Sequence, residues 1–140
     1  MNRELELTVR PEDVARFVRN LADWRTAELV EAGGTAAGAI RDEHEGRVAA
    51  ATRLFEVSST WTPGEALTFT ADEPVERFVL SMTLDRVLGG LVEGAGALPV
   101  TDYDGLDESA AALAYWSKVA RDFNAECDRL DDAELEGAVS

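Results

Sequence analysis

DESAAALAYWSKVARDFNAECDRL, residues 107–130, carries the most regular apolar spacing in the chain. Leu113, Trp116, Ala120, Phe123, Cys127 and Leu130 alternate steps of three and four residues. That places all six on one face of an α-helix, a seam of the kind antiparallel bundles and short coiled coils bury. Lys118, Arg121, Asp122, Glu126, Asp128 and Arg129 fall between the seam positions and form a solvated face. Asp107, Glu108 and Ser109 suit the start of this helix, where carboxylates face the positive end of its dipole. From about residue 131 the pattern gives way to an acidic polar tail.

Upstream, Asp72 and Pro74 mark another helix start. Val75, Phe78, Val79, Met82, Val87, Leu88 and Leu91 cover more than one of its faces, which predicts a central helix. Gly89, Gly90 and Gly94 each cost about 1 kcal/mol relative to alanine inside a helix. Either the helix stops at Gly89, or Gly90 and Gly94 admit another backbone. Thr62-Pro63-Gly64-Glu65 reads as a turn, followed by a short strand at 66–70. Leu5, Leu7 and Val9 alternate with polar residues, the period of a half-buried strand at 4–9. Pro11 then opens a helix over 11–32 that ends at Gly33-Gly34.

Residues 35–60 fit two descriptions. Ile40, His44, Val48, Ala51 and Phe55 are spaced for one helical face, yet Gly38 and Gly46 also permit a hairpin around Glu45-Gly46. Helix is slightly favoured. The expected fold is helix-dominated α+β: three to four helices with a small antiparallel sheet from 4–9 and 66–70. The 140 residues suit one domain.

Charge bounds the partners. Asp and Glu number 28 against 13 Lys and Arg, for a net charge of -15. Free nucleic acid needs clustered cations, so it is not an expected partner, and neither is an anionic membrane surface. Lys118 is the only lysine. At molar salt the Debye length falls to about 3 Å, which screens carboxylate repulsion. The composition resembles that of proteins from extreme halophiles. No apolar run approaches the ~20 residues of a membrane span. The expectation is a soluble protein, cytoplasmic or a virion component assembled in the cytoplasm.

Residues that could carry chemistry are few. His44 lies among Asp42, Glu43 and Glu45, where it could act as a general base or metal ligand. It is the only histidine, and the spacing matches no zinc motif. Cys127 sits between Glu126 and Asp128, and negative neighbours disfavour a thiolate. Gly33-Gly34-Thr35-Ala36-Ala37-Gly38 lacks the lysine of a phosphate loop. No catalytic residue, cofactor or metal is therefore expected.

Trp61 and Tyr103 fall in turns rather than on periodic faces. With the seam residues Leu113, Trp116, Phe123 and Leu130 they are the candidate interface residues. The expected function is a non-enzymatic protein–protein interaction or assembly protein adapted to high salt, working with a protein partner or as a homo-oligomer. A subunit of a larger particle such as a virion fits this description. The alternative is a small enzyme or ligand-binding domain using carboxylates around His44.

Overall fold

Leu7 and Val9 turn inward from strand β1 (Leu5–Val9), while Glu6 and Thr8 face out. Leu67, Phe69 and Ala71 do the same from β2 (Leu67–Ala71). The strands pair antiparallel, with Leu7 opposite Phe69 and Val9 opposite Leu67, so both apolar rows share one face. On the other face Thr8 and Thr68 join hydroxyls at 2.9 Å. A lone two-stranded ribbon is marginal in water. Here four helices cover it: α1 (Val14–Gly34), α2 (Ala39–Val57), α3 (Pro74–Gly96) and α4 (Tyr103–Val139). The structure, a computed structural model, describes residues 4–35 and 37–139.

The helix-dominated α+β expectation matches this architecture. One turn of 3-10 helix, Pro11–Asp13, leads into α1, which ends at the predicted glycines. Thr62 to Glu65 form the expected turn, closed by Glu65 N–H to the Thr62 carbonyl at 3.0 Å. Pro63 presets its first central position, and Gly64, at φ 94°, supplies the left-handed second.

α3 is central, packed against α1, α2, α4 and β2. Val79, Leu80, Thr83, Leu84 and Val87 are buried along it. Its glycines do not stop it: the helix runs through Gly89, Gly90 and Gly94 to Gly96. Neither does another backbone approach them among the described residues, because a methyl group at Gly90 or Gly94 would meet nothing within 4 Å. Packing along the earlier turns outweighs the local cost.

Residues 39–57 are helix, which removes the hairpin. The buried face differs from the stripe read off the sequence. Ala50, Ala51 and Leu54 are buried, whereas Ile40 is 64% exposed and Phe55 38%. Small alanines let α2 lie close to α1, and polar ties fix the pair. Arg25 Nε donates to Thr52 Oγ1 at 2.7 Å.

The last helix needs two corrections. It begins at Tyr103, because Asp102 rather than Asp107 caps it: Asp102 Oδ1 accepts the Gly105 N–H at 3.0 Å. It also continues through the supposed tail to Val139. Its seam is buried as expected at Trp116, Ala120 and Phe123. Trp116 stacks on Phe17, with centroids 6.1 Å apart, and Phe17 in turn packs on Phe69 of the sheet. Each such side chain, fully buried, stabilises the fold by about 1.5–3 kcal/mol. Among the described residues, no helix is long and apolar enough to cross a membrane.

Candidate interaction groove

Trp61 is held where two helices diverge. At the end of α2 the hydroxyls of Ser59 and Thr60 donate back to the Glu56 and Val57 carbonyls, at 2.7 Å each. These bonds satisfy acceptors that the terminating helix leaves open and bend the chain into a 3-10 turn, Ser58–Thr60. Trp61 follows, and its indole Nε1 donates to the Glu65 carbonyl at 2.7 Å. The ring is thereby fixed with one side against the core and one side open.

That open side lines a cleft of about 420 Å³. Val14, Ala15, Val18 and Ala22 of α1 recur at helical spacing and form one wall. Phe55 and Trp61 form the other. Among the described residues the only charged side chain in the lining is Arg19. Arg19 also borders a second cleft, of about 410 Å³, together with Arg16 and the bare backbone at Gly90 and Gly94. Among the described residues neither Arg16 nor Arg19 takes part in an ion pair, although most other arginines do. In a chain of charge -15 this is an apolar groove with one unpaired cation, Arg19, on its rim.

A third cleft, of about 370 Å³, lies between α3 and α4. Arg77, 2% exposed, borders it beside Ser81, Asn124 and Cys127. The guanidinium donates from Nη2 to Glu134 Oε1 at 3.0 Å and from Nη1 to the Asp72 carbonyl at 3.3 Å. Ser81 Oγ bonds Asn124 Oδ1 at 2.7 Å. Burial pushes the Cys127 thiol up to about 11; Arg77 opposes that, and Asp131, Asp128 and Glu126 add to it. The thiol is protonated at neutral pH and is a packing group rather than a nucleophile.

His44 does not use the carboxylates beside it in sequence. Its Nδ1 lies 2.6 Å from Glu28 Oε2, across the α1–α2 interface. Glu43 pairs instead with Arg47, at 2.8 Å, and Glu45 with Arg41, at 3.1 Å. Neither His44 nor Glu28 lines any of the clefts just described. The pair ties two helices together. Among the described residues no group of three His, Cys, Asp or Glu side chains is placed to hold a metal ion.

The remaining candidates divide sharply. Trp116, Phe123 and Leu130, at 1%, 4% and 3% exposure, are consumed by the chain's own interior, so they present no surface to a partner. Leu113 is half-buried. Tyr103 is 73% exposed at the start of α4, and Trp61 is half-buried in the groove. Of the six, Trp61 alone combines a fixed ring with a concave apolar neighbourhood. Sequence reasoning missed the α1 wall because Val18 reads as part of the stripe Val14, Phe17, Val18, Leu21 and Trp24 that faces the core, and Ala15 and Ala22 as its flank. No protein-family model, curated protein or solved structure matches the chain.

Proposed function

We propose that this chain is a non-enzymatic protein–protein interaction or assembly protein adapted to high salt, and that it works through the Trp61 groove. The observation that carries the reading is the groove's chemistry. Trp61 and Phe55 stand over an apolar floor, and aromatic anchors in partly desolvated pockets supply much of the binding energy at protein interfaces. The partner is another protein or further copies of the chain, up to a particle such as a virion. The acid excess supports the salt adaptation: screening in molar KCl relieves the repulsion of so many carboxylates, so the melting temperature rises from dilute buffer to molar KCl.

Ala15→Glu tests the reading. Ala15 is exposed near the start of α1, where glutamate is compatible with the helix, yet it places a charge inside the groove. Native mass in molar KCl, together with capture of binding proteins on immobilised chain, is compared for wild type and A15E. A species heavier than 15.1 kDa, or a protein captured by wild type alone, supports the reading. A wild-type monomer whose captured set A15E leaves unchanged overturns it.

A further inference from the structure

The end of α4 has two faces. Cys127, Leu130, Asp131 and Glu134 point toward α3, the last two engaging Arg77 at 3.5 and 3.0 Å. Asp132, Leu135 and Glu136 stand at i, i+3 and i+4 and share the opposite face. Leu135 is 66% exposed there, and both flanking carboxylates are exposed. This is one apolar anchor between two negative charges on a helix that Arg77 holds in place.

The Trp61 groove is the complement of that face. It offers an apolar lining with Arg19 at its edge, and Arg16, one helical turn earlier on α1, borders the adjoining cleft that Arg19 also lines. Neither arginine is neutralised within its own chain among the described residues. We propose that the groove receives the end of α4 from a second copy of this chain, Leu135 entering between the α1 wall and the aromatic wall of Phe55 and Trp61, while Asp132 and Glu136 meet Arg19 on the rim and Arg16 beside the adjoining cleft. The proposal rests on the interaction reading above and names the partner for that same groove.

Two consequences follow from the geometry. The contacting surfaces differ on the two copies, so the contact is head-to-tail and generates rings or open chains rather than a self-complementary dimer. Molar salt strengthens apolar burial, and ion pairs at contact distance in a partly desolvated groove are screened less than exposed ones. Assembly is therefore compatible with a saline interior.

Sedimentation and native mass in molar KCl test it, with circular dichroism confirming that each variant keeps its helices. Wild type is expected to associate. Leu135→Ala, a deletion at an exposed position, weakens association about tenfold or more. R16E/R19E and D132R/E136R each set like charges against one another between copies, and each associates more weakly than wild type. Mixed in equal amounts, these two charge variants associate again, because every contact in an alternating chain then joins opposite charges. A mixture no better than its components overturns the proposal, and so does a wild-type oligomer indifferent to L135A. A monomeric wild type also overturns it; the interaction reading then stands only if A15E abolishes capture of a different protein.

Discussion

Arg77 on α3 donates from Nη2 to Glu134 Oε1 on α4 at 3.0 Å, across 57 residues of chain. It is the one buried cation among the described residues. Asp131, a turn earlier on α4, stands 3.5 Å from the same nitrogen. A stretch that reads as a solvated acidic tail is thereby docked on the body of the protein, and Leu135 is displayed at a fixed angle.

This arrangement makes the two sides of the pair unequal. D131A/E134A leaves a desolvated guanidinium with only the Asp72 carbonyl, and the expected loss is about 3 kcal/mol with early hydrogen exchange at the end of α4. Arg77→Met leaves carboxylates that can rehydrate, since Asp131 is 61% exposed and Glu134 26%, and it fills the space with an apolar chain. Its stability should stay within about 1 kcal/mol of wild type. Urea unfolding in molar KCl checks the order; R77M falling below D131A/E134A would sink the desolvation argument.

Asp102 and Gly105 form a second coupled pair. Asp102→Ala removes the cap of α4 and should cost about 1 kcal/mol. A methyl group at Gly105 would run into Asp102 Oδ2 and push the cap aside, so Gly105→Ala destabilises wild type despite the better helix former. With Asp102 already alanine the clash is gone, and the same substitution becomes stabilising. A double-mutant cycle of thermal unfolding reads this reversal of sign, and additive effects would refute it.

Cys127 should resist alkylation. With its thiol pushed up to about 11 by burial, iodoacetamide reacts slowly at neutral pH, and the rate climbs only in strongly alkaline buffer. Arg77 acts in the opposite direction, so R77M slows the reaction further. A rate at neutral pH matching that of a free cysteine peptide would contradict the placement.

Glu76 supplies a pH dependence. Burial, reinforced by Asp72, holds its carboxyl above the ordinary 4.5, against the pull of Arg53 at 4.0 Å. The folded state binds the proton more tightly than the unfolded one, so stability drawn from protonated Glu76 is present below 4.5. It is lost as pH rises through the higher folded value. Glu76→Gln, which cannot ionise, therefore melts higher than wild type at neutral pH and at the same temperature in acid. Melting curves across that range check it; a less stable E76Q at neutral pH would show that the Arg53 pair prevails.

Periodicity alone determined the strands, α1, the central place of α3 and the buried seam of α4, because each is a statement about residues two to four positions apart. The excess of carboxylates and the single lysine were equally legible. Tertiary structure decided the rest. Residues 39–57 became helix with Ala50, Ala51 and Leu54 inward, a choice that depends on how closely α2 can approach α1. Glu28, not a sequence neighbour, became the partner of His44. The seam aromatics turned inward against β1 and α1, which left Trp61 to face solvent over a wall of small α1 residues. Nothing local specifies those outcomes. They follow from which apolar faces remain once the helices have packed, and from a buried guanidinium that reaches its carboxylates only after the chain has folded back on itself.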